Sequence, residues 1–425
     1  MANNLKYIIC GKLYNGIEPE FKEGWKILVE GNKIVEVGPN VEQPDSAEVI
    51  DLSVYQVTPG MIDAHMHMDY FDWHEIRDMV YTTTEEYKAL AMLHTAQKTL
   101  SRGFTTVRHL GGITTSNYSA VDVKRVINEG KFSGSRLIVA PRLLGTIGGH
   151  GDLTQAFAHN PEFSKVALTT RPSIGAGKDF FSNAVREEIK AGADFIKIMA
   201  TGGFFTPYDN PMQQQMTDEE LKAVFDEAHN WGKTVTAHVY SAPLQQKLVK
   251  LGIDGMEHCS LMDEETAEMI VENNVYVVPT FTPYEDAVHY DPVSIQTKQP
   301  EYRAKLEIYK DALQKGREVI KNSKVKLGYG TDMVATHNNC ESGYEYVAWM
   351  KSGMGAFRTL EAATRVNAEI CQVDDIVGTI EVGKLADISA WGRDLMTDET
   401  ALLDCAFVMK DGVVYETEKC ADLED

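Results

Sequence analysis

Eight short apolar runs separated by longer helical stretches constrain this chain more than any other feature. The runs are "VTPGMIDAH", "TTVRHL", "RLIVAP", "DFIKIM", "TVTAHV", "GMEH", "VYVVPT" and "VKLGYG". Helical stretches between and after them include "TTTEEYKALAMLHTAQKTLSRG", "TDEELKAVFDEAHNWG" and "GAFRTLEAATRVNAEI". Each opens near Thr, Asp or Gly, and two close at Gly, as helix ends do. Strand and helix alternating in this way predict an α/β fold built as a (β/α)8 TIM-like barrel. No repeat beyond this βα period is visible.

Both ends of the chain have another character. "WKILVEGNKIVEVG" reads as a hairpin turning at "EGNK", and "AFVMKDGVVYE" as a second one turning at "KDG". The expectation is one small β-sandwich domain assembled from both ends, residues 1–57 and 373–425, beside a barrel spanning 58–372. A length of 425 residues accommodates a large barrel with such an accessory piece.

Composition excludes several partners. The balance of 41 Lys plus Arg against 63 Asp plus Glu gives a net charge of −22, which repels nucleic acid and anionic membrane surfaces. The six cysteines, Cys10, Cys259, Cys340, Cys371, Cys405 and Cys420, lack paired spacing and read as free thiols of a reducing compartment. No segment reaches the roughly 20 apolar residues that a membrane span requires, and the start lacks a basic region followed by a long apolar core. A cytoplasmic protein is expected.

The stretch "PGMIDAHMHMDYFDW" carries the first chemistry. Side chains alternate along a strand, so His65 and His67 share a face with Cα atoms about 6.6 Å apart, within reach of one metal ion. An isolated H-x-H pair is also compatible with ordinary core or surface histidines. Four later runs add Lys197 in "DFIKIMATGG", His238 in "TVTAHVYS", His258 in "GMEHCSLMD" and Asp332 in "LGYGTDM". The C-terminal ends of barrel strands converge on one face, so these residues and the two histidines are expected to form a metal centre. Lys197 alternates with Phe195 and Met199 and therefore faces the lumen, where a bare ammonium beside cations is costly.

The ordered set His-x-His, Lys, His, His, Asp on successive strands resembles the amidohydrolase superfamily. "VTPGMIDAHMH", the "TGG" after Lys197 and the closing "GTIEVGKLADI" are similar to its prolidase-like and imidazolonepropionase-like branch. The resemblance covers nearly the whole chain. It implies that Lys197 reacts with carbon dioxide to give a carbamate bridging two divalent cations, with zinc the default by ligand type. His65, His67, Asp332 and the carbamate then hold one metal; His238, His258 and the carbamate hold the other. Two cations sharing a water lower its pKa and polarise a carbonyl, and Asp332 is the natural general base. The implied reaction is hydrolysis of the amide of a dipeptide or N-acyl amino acid, a small-molecule substrate of the Xaa-Pro or Xaa-Arg dipeptidase kind.

Three further positions are candidates for reading the substrate. His150 lies in the glycine-rich "GTIGGHGD", and Tyr240 follows His238 by two residues, on the same face if the strand persists. Matching residues in the dipeptidases that this chain resembles donate to a scissile carbonyl or terminal carboxylate. His337, in "TDMVATHNNCES", is the third. Cys259 should face away from the metals. His109 stands where relatives more often carry Asp, which leaves the second strand's contribution open. His74, His94, His159, His229 and His289 read as structural or exposed. Other readings stay open: a mononuclear cyclic-amide hydrolase or deaminase using His65, His67, His238 and Asp332, a neutral amide or urea hydrolase, or a catalytically dead barrel serving assembly. The sequence also leaves homo-oligomerisation open.

Overall fold

The structure, a computed structural model, describes residues 5–69, 82–112, 117–152, 154, 159–160, 162, 172–206, 208–285, 300–333, 340–420 and 423. The N-terminal part forms strands β1 (Leu5–Leu13), β2 (Lys22–Glu23), β3 (Lys26–Glu30), β4 (Lys33–Gly38) and β5 (Glu48–Pro59). The next strands are β6 (Met61–Met66), β7 (Phe104–Gly112), β8 (Arg136–Thr146), β9 (Ile174–Gly175), β10 (Ile196–Met199), β11 (Val235–Ser241), β12 (Gly255–Leu261), β13 (Tyr276–Val278) and β14 (Lys326–Leu327). The C-terminal part adds β15 (Ile388–Trp391), β16 (Cys405–Lys410) and β17 (Val413–Tyr415).

Two sheets result. One runs β14-β13-β12-β11-β10-β8-β7-β6, with β9 attached to β8, and its neighbours pair in parallel. Its eight-strand path follows the eight apolar runs one for one. The ends of the path are drawn together: the Ala64 N–H donates to the Tyr329 carbonyl at 2.9 Å and the Asp332 N–H to the His65 carbonyl at 2.8 Å. Asn367 fills the same seam, its amide donating to the carbonyls of Ile62 and Tyr329. The second sheet, order β17-β16-β15-β5-β1-β3-β4 with β2 paired to β1, is mostly antiparallel and joins the two chain ends. Both expected hairpins are present, as β3 with β4 and β16 with β17.

The run around "YQVTPGMID" divides instead of making one strand. β5 ends at Pro59 in the second sheet and β6 starts at Met61 in the first. Gly60 makes the passage possible, because a Cβ there would lie 2.3 Å from Thr105 Oγ1.

Outward residues of the barrel strands, such as Ile196, Ile198, Ala237, Val239, Met256 and Val277, join the main core cluster; helices lie outside them. The expected helices form at Glu85–Ser101, where the Thr84 hydroxyl accepts from the Tyr87 N–H, and at Asp218–Asn230, where Thr217 and Glu220 make a capping box. None of the six cysteines is in a disulfide among the described residues. Among the described residues no helix is long and apolar enough to cross a membrane.

Candidate metal centre and active site

Inward residues at the strand ends form a continuous arc of rings. His67 lies 5.5 Å from His65, His65 5.1 Å from His258, His258 4.6 Å from His238, and His238 4.4 Å from His150, centroid to centroid. Tyr240 stands at 4.8 Å from His238 and 5.1 Å from His258, because β11 runs on to Ser241 and keeps both inward side chains in register. His65 Nε2 and His67 Nε2 are each 3.6 Å from Asp332 Oδ1. Lys197 is 1 % exposed and interacts electrostatically with Asp332.

Three of these rings have a partner on Nδ1. His65 Nδ1 is 2.7 Å from Glu257 Oε2, His67 Nδ1 2.7 Å from the Gly111 carbonyl, and His258 Nδ1 2.7 Å from Thr280 Oγ1. A carboxylate and a carbonyl can only accept, so His65 and His67 carry their protons on Nδ1 and leave Nε2 unprotonated. Burial pulls His65 down to about 4, against the opposing charge of Glu257, and drives His67, His238 and His258 well below the ordinary histidine value. All four are neutral imidazoles near pH 7, the form that ligates metal. Burial likewise lowers the Lys197 pKa and raises that of Asp332, so both charged forms are disfavoured by desolvation.

The donor set fits divalent cations. His65, His67 and Asp332 each offer a ligand atom, and these lie within 4.8 Å of one another. His65 Nε2 and His238 Nε2 are buried without a hydrogen-bond partner, a costly condition that a cation relieves.

Strained backbone accompanies these positions. His258, Cys259, Thr280 and Asp332 have φ of 70°, 53°, 45° and 44°, each costing on the order of 1–3 kcal/mol for a residue with a Cβ. The pairing of β11 with β12 shifts register between Val239 and Ser241, and that of β6 with β7 between Asp63 and Met66. Cys259 points into the outer core, as expected.

The rim is built from loops. His150 Nδ1 is 2.8 Å from Thr206 Oγ1 and 3.2 Å from Asp209 Oδ2. Lys305, from the helix Pro300–Asn322, donates to the carbonyls of Gly203 and Thr206 and to Asp209 Oδ1, at 2.6, 2.5 and 2.8 Å. The glycines after Lys197 serve this packing, since a Cβ on Gly203 would lie 2.0 Å from the His150 ring. The Tyr240 hydroxyl pairs with that of Tyr284 within an aromatic cluster containing Phe204 and Tyr302.

Residues 56–417 match the amidohydrolase family. The chain belongs to that family. Ochratoxinase of Aspergillus niger is 27 % identical over 390 residues, covering 87 % of this chain and 78 % of that protein. A solved Xaa-Pro dipeptidase with methionine bound in its active site superposes with a TM-score of 0.85 at 29 % identity, over 97 % of this chain and 100 % of that one. A prolidase complexed with N-methylphosphonate-L-proline gives 0.82 at 27 % identity, over 97 % and 100 %. The protein is therefore an amidohydrolase, a hydrolase acting on C–N bonds in a metal-dependent superfamily.

The strand-end residues, His150 and Tyr240 thus come together, while His337 lies outside the described residues. His109 is buried beside the centre, its Nδ1 accepting from the Met68 N–H at 3.2 Å. Sequence reasoning passed over Glu257, Arg108, Thr280, Asp209 and Lys305. Glu257 and Arg108 did leave a trace: each is a charge inside an otherwise apolar strand run, which a lumen tolerates only with a partner.

Proposed function

We propose that the protein is a binuclear metallohydrolase that cleaves the amide bond of a dipeptide or N-acyl amino acid. The observation that carries this reading is the convergence of His65, His67, His238, His258 and Asp332 around the buried Lys197. In this reading His65, His67 and Asp332 would hold one cation, His238 and His258 would hold a second, and Lys197 would supply a further donor as its carbamate. Zinc is the metal expected for this donor set. When bound, such a pair lowers the pKa of a water toward neutrality and polarises the substrate carbonyl.

The chain's own residues then divide the remaining work. Asp332 takes the proton of the attacking water on its carboxylate and delivers it to the leaving nitrogen. His150 turns its Nδ1 to Thr206 and Asp209, and Nε2 is the nitrogen left for the substrate. Tyr240, between His238 and His258, directs its hydroxyl at the scissile carbonyl or the adjacent carboxylate. Likeness to proteins described as an Xaa-Pro dipeptidase and a prolidase supports a substrate with a carboxylate next to the scissile bond.

The same reading assigns catalysis to residues 58–372, and a composite accessory domain to 1–57 with 373–425. Free cysteines and net negative charge support a cytoplasmic setting.

Elemental analysis tests the centre: wild type should carry close to two divalent metals per chain, and Lys197→Ala should lose metal and activity together. One metal in both proteins would favour the mononuclear alternative. A library of dipeptides and N-acyl amino acids offered to zinc-loaded enzyme tests the substrate class, and turnover of neutral amides alone would overturn it.

A further inference from the structure

The sequence "GMEHCS" should send Glu257 and His258 to opposite faces of β12, since neighbours in a strand alternate. The positive φ at His258 and Cys259 breaks that alternation, and the side chains of Glu257 and His258 both enter the lumen. Glu257 lies opposite His238 in the β11–β12 register, and its carboxylate reaches across to β6. Oε2 accepts the Nδ1–H of His65 at 2.7 Å; Oε1 accepts from Arg108 at 3.0 Å and from the Thr236 hydroxyl at 2.6 Å. None of these four side chains is more than 1 % exposed.

Arg108 is itself fixed, donating to the Tyr276 hydroxyl at 2.7 Å and to the Ala64 carbonyl at 3.3 Å, with its guanidinium 4.1 Å from the centre of the Phe195 ring. The carboxylate therefore cannot turn away from His65 without abandoning two other donors. The Nδ1 partners of three ligand-type rings differ in kind: a carbonyl for His67, a hydroxyl for His258 and a carboxylate for His65. A charged acceptor makes the strongest hydrogen bond of the three and raises the basicity of the opposite nitrogen.

We propose that Glu257 is the positioning residue of the centre: it fixes the tautomer and aim of His65 from the strand that supplies His258. The inference rests on the binuclear reading above, and its test separates the two.

The test is zinc binding to apoprotein, read by competition with a chromophoric chelator. Glu257→Gln keeps the shape but replaces the charged acceptor; one of the two zinc affinities should fall about 10- to 100-fold, while the other changes less than about 3-fold. Thr236→Val removes one donor to the same carboxylate without altering the lumen's charge and should weaken the same zinc by a smaller factor. Folded Glu257→Gln with two parental affinities overturns the proposal. If that variant does not fold, unchanged affinities in Thr236→Val overturn it, and weakening of one zinc supports it. Should wild type bind a single zinc, the binuclear reading fails; the positioning role then stands if Glu257→Gln weakens that zinc and falls if it does not.

Discussion

At the strand ends, three histidines are each held by one partner on another barrel strand or the loop that leaves it: Glu257 on β12, Gly111 on β7, Thr280 just after β13. At the rim, His150 is held through Thr206 and Asp209, and that loop is in turn held by Lys305, from a helix 96 positions beyond Asp209. The first arrangement comes with the barrel, because strands and the loops leaving them bring the partners to one lumen. The second depends on one ammonium docking into carbonyls that no regular element positions. The centre should therefore survive damage to the rim, whereas the rim should not survive loss of Lys305.

The largest effect is expected from Asp332→Asn, which strikes the chemistry of the centre alone. It keeps the shape and an oxygen ligand but removes the base, so kcat should fall by about 10² to 10⁴ with metal content largely retained. A variant with full metal and near-normal kcat removes Asp332 from this role.

Lys305→Met separates the two regions. Breaking a buried ion pair by removing one partner costs about 3–5 kcal/mol, because the other charge remains buried; here the exposed fractions are 11 % for Lys305 and 2 % for Asp209. Thermal denaturation should show a large loss, and kcat/KM should drop about 10-fold or more as His150 loses its aim, about 1.4 kcal/mol in the barrier. Elemental analysis should still return the wild-type metal content. Loss of metal in parallel would break the distinction between the two regions.

Tyr240→Phe probes the seam between them. A single hydrogen bond contributes about 0.5–1.5 kcal/mol, so a substrate with a free carboxylate should slow by about 3- to 10-fold. Its C-terminal amide should slow less if the hydroxyl reads the carboxylate. Equal slowing assigns the hydroxyl to the scissile carbonyl instead.

The smallest effect concerns pH. Burial opposes ionisation of Asp209, but hydrogen bonds from His150, Lys305 and Thr206 overcome it and hold the carboxyl below its ordinary value of 3.8. A depressed folded-state value means that the stabilisation is complete above the ordinary value and is lost as pH falls through the depressed one. The urea-unfolding difference between wild type and Asp209→Asn should therefore be constant near neutrality and narrow below about pH 4. A difference that widens with acid contradicts the assignment.

Much of this protein was open to reading in advance. The eight apolar runs became eight barrel strands, and Lys197, His238 and Tyr240 face inward because simple alternation holds along β10 and β11. It failed where the backbone leaves the β region. Glu257 escaped notice because alternation assigns it the face opposite His258, and only the positive φ at His258 and Cys259 brings both inside. The passage at Gly60 was likewise hidden, because an apolar run looks the same whether it stays in one sheet or crosses to another.

Sequence by itself determined the order of the elements, the candidate ligand types and the family, since each follows from residue identity and local spacing. Tertiary structure alone decided which acceptor orients which ring and what holds His150. Those contacts join residues up to 192 positions apart, and their geometry depends on barrel register and on backbone torsions that local propensity does not favour.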